Sequence, residues 1–265
     1  MRVERFGSGP RVFYCLHGWN GDHRTFLPLL PHLPAGATLV APDLPGCGRS
    51  PAPARWTLGE VASAIARSMV EECRGPSVVV GNCSGGLLAL SALLRLLRTG
   101  PALPVERLVL IDPFAYWPWY FRVFLAKGWG RHAYAAAFAN PLGRWMTNLS
   151  LSSRRRSGTN LTEGFASADH GALWNYLSLF RELGSVEQFG ALRMPVAIVH
   201  GERTFQAVRR SVALWKRIWP HAAVWSLPAA GHLPIREAAG ELSRVIFGGD
   251  TWPPDFTRTC GNTPL

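Results

Sequence analysis

The stretch VVVGNCSGG, residues 78–86, decides how this chain is interpreted. Three valines lead to a thiol and a hydroxyl flanked by glycines, and the chain then continues as LLALSALLRLL. The first run is typical of a buried strand and the second of a helix, so the pattern predicts a sharp turn between them. Such a turn presents a nucleophile at the start of the helix, and Cys83 and Ser84 are the two candidates.

The glycines favour Cys83 over Ser84. Strand and helix pack closely on both sides of a strained turn, so the residues two before and two after the nucleophile must be small. For Cys83 these are Gly81 and Gly85, whereas for Ser84 one of them would be Asn82. We therefore predict Cys83 as the nucleophile and expect the backbone N–H of Ser84 to donate to an oxyanion hole. An inert, buried cysteine in an inactive protein is the alternative.

Length and composition fit one large α/β unit. The chain has 265 residues, of which 48% are hydrophobic, so it can bury one large core. A helix predicted at about 58–72 begins with the capping-box pair Thr57 and Glu60. Strand-like runs alternate with helical stretches, and this order predicts a doubly wound, mostly parallel sheet. The predicted strands are residues 11–18, 37–43, 76–82, 107–112, 195–201 and 223–228.

One interval interrupts this alternation. Residues 114–188 show no strand pattern and are rich in aromatic side chains, glycine and proline. We predict that they form a helical cap over the strand ends, inserted between two parts of the core at 1–113 and 189–247. Residues 248–265 consist largely of turn-forming residues, and we expect them to be an extended C-terminal tail.

Charge and cysteine content limit the partners and the cellular compartment that we expect for this protein. No apolar stretch approaches the ~20 residues that a membrane span needs, and MRVERFGSGP lacks a signal-peptide core, so we expect no stable membrane insertion. The net charge of +11 fits a nucleic acid, an anionic membrane or an acidic protein, but no nucleic-acid-binding motif is present, so we expect no nucleic-acid partner. The cysteines lack metal-ligand spacing, which favours reduced thiols in the cytoplasm. They are Cys15, Cys47, Cys73, Cys83 and Cys260.

Four motifs, in this order and spacing, resemble the α/β-hydrolase fold family in its lid-bearing, esterase-like branch. They are LHGWNG, PDLPGCGRS, GNCSGG and AGHLPIREAAGEL, and the likeness covers residues 10–247. It implies a nucleophile, an acid and a histidine in that chain order. Cysteine within G-x-C-x-G-G is similar to the elbow of dienelactone hydrolases and polyhydroxyalkanoate synthases, which implies that the fold supports both hydrolysis and acyl transfer.

The resemblance also indicates the base and the second oxyanion donor. His232 lies in a loop after the last predicted strand, where the family has its histidine. The backbone N–H of Trp19, which follows His17 and Gly18, is expected to donate to the oxyanion hole.

The acid departs from the family pattern. After the strand PVAIVHG the chain reads GERTFQAV, with Thr204 where the family has aspartate. Asp112 ends the strand RLVLID, and some members of the family, haloalkane dehalogenases among them, carry their acid there. We therefore predict Asp112 as the group that orients His232. Glu202 is the fallback, and a Cys83–His232 dyad is the remaining alternative.

The cap begins with the aromatic run FAYWPWYFRVFLAKGWG. Packing of the cap on the core accounts for most of these rings. We nevertheless expect Trp117, Trp119 and Phe121 to bind an apolar acyl group and to exclude water, which would favour transfer or cyclisation over hydrolysis.

The expected function is an enzyme of the thioesterase, acyltransferase or cyclase type, which forms an acyl-thioester on Cys83 from an ester or thioester. The alternatives are a carboxylesterase or C–C bond hydrolase for small substrates, and a non-catalytic binding protein of the same fold. The expected partner is a small-molecule acyl substrate, with carrier-protein and coenzyme A thioesters among the candidates. Without an H-E-x-x-H, a P-loop or a helix-opening G-x-G-x-x-G, we predict no metal and no cofactor.

Overall fold

The computed structural model describes residues 1–248, so the predicted tail at 248–265 lies outside the described residues apart from Gly248. Within them is one seven-stranded sheet of order β1-β3-β2-β4-β5-β6-β7. All neighbours are parallel except β1 and β3. The strands are β1 (Val3–Gly7), β2 (Arg11–Leu16), β3 (Ala37–Pro42), β4 (Ser77–Asn82), β5 (Val105–Ile111), β6 (Val196–Gly201) and β7 (Ala223–Leu227).

Helices connect the strands, and the predicted capped helix is present as α1, where the Thr57 side chain accepts a hydrogen bond from the Glu60 N–H at 3.2 Å. The α-helices are α1 (Leu58–Glu72), α2 (Ser84–Thr99), α3 (Trp119–Phe124), α4 (Gly130–Tyr134), α5 (Pro141–Ser150), α6 (His170–Leu179), α7 (Gln206–Ile218), α8 (Pro234–Glu237) and α9 (Ala239–Phe247). None of those described is long and apolar enough to cross a membrane.

The sheet is buried on both faces. Val79 of β4 packs with α1 and α2, whereas its neighbours Val78 and Val80 pack with α9 on the other face. A strand covered on both faces is apolar at every position, which explains the continuous run at 78–80. The mostly parallel, doubly wound sheet confirms the predicted fold class.

The sequence reasoning missed β1. Its segment VERFG carries two charged residues and lies at the edge of the sheet, where Val3 pairs with Pro42 in antiparallel register. Because the side chains of an edge strand are half exposed, they lack the apolar pattern that marked the other strands. Only the pairing with β3 makes this segment a strand.

Between β5 and β6 the described chain forms α3 to α6, one π-helical turn (Ala135–Ala139) and short 3-10 segments, without a strand. Hydrogen bonds tie these cap residues to the loops that follow the strands. The Trp19 indole donates to the Leu173 carbonyl at 2.9 Å, and the Tyr176 hydroxyl donates to the Pro45 carbonyl at 2.8 Å. The cap therefore covers the carboxyl ends of the parallel strands, where open α/β sheets bind their ligands.

Candidate active site

Cys83 occupies the turn between β4 and α2. Its φ is 51° and its ψ is −121°, a strained combination for a residue with a side chain. The Cys83 N–H donates to the Ile111 carbonyl at 2.7 Å, which anchors the turn to β5. The thiol is partly exposed and stands at the N-terminus of a 16-residue helix, where backbone N–H groups favour an anion.

Close backbone contacts leave no room for a side chain at the two glycines that flank this turn. A Cβ on Gly81 would overlap the Gly86 Cα, and a Cβ on Gly85 would overlap the carbonyl oxygens of Leu16 and His17. The positions two before and two after Cys83 therefore admit only glycine. This spacing is the one that the sequence reasoning used to choose Cys83 over Ser84.

A histidine and a carboxylate meet beside this turn. His232 Nδ1 lies 2.7 Å from Asp112 Oδ2, and Asp112 is fully buried at the end of β5 with a φ of 48°. The other oxygen, Asp112 Oδ1, accepts the Gly201 N–H at 3.0 Å. Because both carboxylate oxygens accept hydrogen bonds, the Asp112 side chain is fixed in the orientation that faces the imidazole.

Thr204 supports this carboxylate, a role that the sequence reasoning missed. Its hydroxyl is fully buried, donates to Asp112 Oδ2 at 2.6 Å and lies 3.1 Å from His232 Nδ1. Thr204 was recognised only as the absence of the usual aspartate. Glu202, the fallback acid, is exposed and instead accepts the Ala229 N–H at 2.9 Å.

The electrostatics of His232 favour its charged form. Burial alone lowers the pKa of this imidazole, but the charges of Cys83 and Asp112 and the hydrogen bonds to both raise it to about 10. Phe205 and Phe114 lie beside the imidazole, with ring centroids 4.6 Å and 5.9 Å away, and shield it from water. A low-dielectric surrounding strengthens the attraction between an imidazolium and a thiolate.

The raised pKa of His232 gives a pH prediction. A histidine whose folded pKa lies above its ordinary value of 6.5 adds stability that is complete below pH 6.5 and is lost as the pH rises through about 10. We expect the His232 imidazole resonance, assigned by its loss in His232→Gln, to titrate near pH 10. In Cys83→Ser it should titrate at lower pH because the thiolate is removed. Titration of His232 near pH 6.5 in both proteins would contradict the ion pair.

The Trp19 N–H, a predicted oxyanion donor, is bonded to the Ser84 side chain. It donates to Ser84 Oγ at 2.8 Å, and Ser84 is buried. A substrate oxyanion that uses this N–H must take the place of the serine oxygen. The backbone N–H of Ser84 begins α2, where the first amides have no partner within the helix. The sequence reasoning anticipated the two amides but missed the hydroxyl.

The remaining described cysteines are buried and differ from Cys83. Burial raises the pKa of Cys47 to about 12 and that of Cys73 to about 11, and it raises the pKa of Cys15 further. We expect iodoacetamide to alkylate Cys83 before these three near neutral pH, because the thiolate reacts and only Cys83 is partly exposed. Peptide mapping after partial labelling measures this order. Equal labelling of all four would contradict it; Cys260 lies outside the described residues.

Of the three aromatic residues predicted to bind the acyl group, the structure places only some near the candidate site. Phe121 packs against Phe114 and Trp19, with centroids 6.3 Å and 5.8 Å away. Trp117 stacks on Phe121 at 4.6 Å. It also lines a cavity of about 550 Å³, but Cys83 and His232 are not among the residues that line this cavity. Trp119, however, is 74% exposed on the outer surface, so the structure does not place it among the lining residues.

Tyr120 was not selected from the sequence, yet it lies within electrostatic range of the thiol. Burial and the charge of Cys83 both raise its pKa. Its neighbours in the run are all aromatic, so nothing in the sequence singled it out. The structure thus adds a phenol to the apolar residues near Cys83.

One group of side chains has the composition of a metal site. Ligand atoms of Asp22, His23 and Asp43 lie within 4.8 Å of one another. Asp43 already accepts hydrogen bonds from the His23 backbone and ring and from the Arg49 N–H, each at 2.8 Å. These bonds account for the cluster as a support of the loop after β3.

Comparisons with known proteins agree with this architecture. The pattern of the alpha/beta hydrolase fold family matches residues 11–239. The chain therefore belongs to the α/β-hydrolase fold family. A thermophilic esterase from Thermogutta terrifontis has a similar structure, with a TM-score of 0.70 and 20% identity over 93% of this chain and 91% of that one.

Two curated relatives have higher sequence identity. Lipase LipV of Mycobacterium tuberculosis is 39% identical over 114 residues, 43% of this chain and 41% of the lipase. The match thus spans less than half of that relative. A pimeloyl-[acyl-carrier protein] methyl ester esterase of Aromatoleum aromaticum is 30% identical over 202 residues, 70% of this chain and 76% of that esterase.

Proposed function

We propose that this protein is an acyl-transferring or acyl-hydrolysing enzyme that forms an acyl-thioester on Cys83. The Cys83 sulfur adds to the carbonyl carbon of an ester or thioester, while the backbone N–H groups of Trp19 and Ser84 stabilise the oxyanion. His232 then protonates the departing alkoxide or thiolate, and the carbonyl re-forms with the acyl group on sulfur. Asp112 holds the imidazole in its orientation and stabilises its positive charge.

The second half of the reaction reverses these proton movements. Neutral His232 takes a proton from water or another acceptor, whose oxygen or nitrogen attacks the thioester carbonyl. The Cys83–carbonyl bond breaks, and the thiolate returns beside the imidazolium. The acyl group thus leaves as an acid, an ester or an amide according to the acceptor.

A single observation carries this proposal: a cysteine occupies the strained turn, and beside it lies a half-buried histidine that is hydrogen-bonded to a buried aspartate. Serine is the usual nucleophile in this family, so the thiol is what distinguishes this site. A thiolate paired with imidazolium is a nucleophile without further deprotonation.

The substrate class follows from the cap and the relatives. The aromatic contacts of Trp117 and Phe121 favour an apolar acyl chain and limit water. The names of the two curated relatives, a lipase and an acyl-carrier-protein methyl ester esterase, support an ester or carrier-bound acyl substrate. The net charge of +11 complements an acidic carrier protein or the phosphates of coenzyme A. The unpaired cysteines at 15, 47, 73 and 83 support a cytoplasmic location.

Product analysis tests this function. Purified protein is incubated with methyl esters and coenzyme A thioesters of several chain lengths, with and without alcohol or amine acceptors. We expect acyl release or transfer that depends on Cys83 and is lost in Cys83→Ala. Cleavage of small esters or diketones at the wild-type rate by Cys83→Ala would instead favour a hydrolase with another nucleophile. Tight ligand retention without turnover, equal in both proteins, would favour a binding protein.

A further inference from the structure

The cap carries an exposed apolar stripe that the proposed chemistry does not use. On α5 four large apolar side chains follow one another at positions i, i+3, i+4 and i+7, which places them on one face of the helix. Their exposed fractions are 55% to 65%. We call these residues the α5 stripe: Leu142, Trp145, Met146 and Leu149.

The opposite face of α5 is the one that packs on the protein. Gly143 is buried and lies so close to the preceding segment that a Cβ there would overlap the Ala136 carbonyl oxygen. The Thr147 hydroxyl donates to the Ala137 carbonyl at 3.2 Å. These contacts seat the helix against residues 135–139. The α5 stripe therefore points away from the cap interior, and large contiguous apolar surfaces of this kind mark binding faces.

The charge of the surrounding chain indicates the partner. From Pro113 to Thr162 the sequence has seven basic residues and no acidic one. Arg122, Lys127 and Arg131 are exposed, and among the described residues none of the three forms an ion pair with a carboxylate. Cations without carboxylate partners, in the same segment as an exposed apolar helical face, are typical of segments that lie on anionic membranes.

Exposed tryptophans in the same segment agree with a lipid interface. Trp119 is 74% exposed, Trp129 is 54% exposed, and Trp145 belongs to the α5 stripe. Indole rings are enriched at the headgroup level of bilayers because they are amphipathic. The exposed indoles, together with the cations, favour a bilayer over a soluble acidic protein as the partner.

We propose that the α5 stripe docks the cap on the surface of an anionic phospholipid bilayer. The stripe enters the boundary between headgroups and acyl chains, and the exposed cations of residues 113–162 face the lipid phosphates. No part of the chain crosses the bilayer in this arrangement. On the proposed function, docking brings the cap to a surface rich in apolar acyl ligands.

Vesicle co-sedimentation tests the docking without relying on catalysis. Full-length protein is mixed with vesicles of phosphatidylcholine alone or with added phosphatidylglycerol, at low and high salt. We expect binding to the anionic vesicles to be about tenfold stronger than to the neutral ones, and to weaken as salt screens the charges. The double variant Trp145→Gln/Leu149→Gln should bind anionic vesicles about tenfold less because it loses two apolar contacts.

Leu97→Gln is the matched control, because Leu97 is 58% exposed on α2, outside the cap. It should bind vesicles as the wild type does. Equal melting temperatures would show that all three proteins fold, and turnover of a water-soluble ester should be equal as well. The proposal would be overturned if the double variant bound anionic vesicles as strongly as the wild type does. It would also be overturned if the wild type bound neutral and anionic vesicles equally, or bound neither. A dimeric wild type and a dimeric Leu97→Gln beside a monomeric double variant would also overturn it, since the stripe would then contact a second copy.

Discussion

Replacing Cys83 by serine is expected to lower the rate of acyl-enzyme formation by on the order of 10²-fold or more. The serine hydroxyl is a much weaker acid than the thiol and must lose its proton to His232 during attack. In the native protein the charged form of His232 is the favoured one, with its pKa raised to about 10. Single-turnover acylation with a chromogenic ester measures the loss, and we expect the remaining activity to shift towards hydrolysis.

Ser84→Ala is the matched substitution at the neighbouring position. It removes the hydroxyl that accepts the Trp19 N–H at 2.8 Å but leaves both proposed oxyanion amides in place. A neutral hydrogen bond is worth about 0.5–1.5 kcal/mol, and this one is not made to the substrate, so we expect Ser84→Ala to change the rate by no more than about tenfold. Full activity in Cys83→Ser together with loss in Ser84→Ala would instead identify Ser84 as the nucleophile.

Asp112→Asn is expected to lower acylation by about 10²-fold. The amide keeps the size of the carboxylate but removes the negative charge that raises the pKa of His232, and its NH₂ group cannot accept the imidazole proton at 2.7 Å. The loss should grow towards high pH, because a less basic imidazole gives up its proton earlier. The pH dependence of single-turnover acylation, measured with a folding check, shows both effects.

Glu202→Gln is the control for the acid. Glu202 is exposed and bonded to the Ala229 N–H, so we expect little change in rate. A large loss in Glu202→Gln with little change in Asp112→Asn would move the acid to Glu202. No loss in either protein would leave a dyad of Cys83 and His232.

The fold was predictable because its determinants are local in the sequence. Six apolar runs that end in turn residues match β2 to β7, and the glycine spacing around Cys83 located the turn. The absence of the usual aspartate at Thr204 directed attention to Asp112, which the structure brings to His232. The strands and the turn needed only the periodicity of strands and the volume of a side chain, whereas Asp112 also needed the resemblance to the α/β-hydrolase family.

Other features depend on contacts between distant residues and left no local signal. Ser84 and Trp19 meet through a hydrogen bond that joins positions 65 residues apart. Thr204 reaches Asp112 across 92 residues, so its support of the carboxylate was invisible in the linear pattern. The exposure of Trp119 left no signal for a related reason: in a run where about half of the residues are aromatic, composition does not tell which ring faces outward.

The acyl-thioester on Cys83 is the central claim, and intact-protein mass spectrometry after rapid acid quench tests it most directly. Wild-type protein mixed with a panel of acyl thioesters should gain the mass of one acyl group per chain. Peptide mapping should place that group on Cys83, and Cys83→Ala should gain none. An acyl group on Ser84, or turnover at the wild-type rate by Cys83→Ala, would contradict the account.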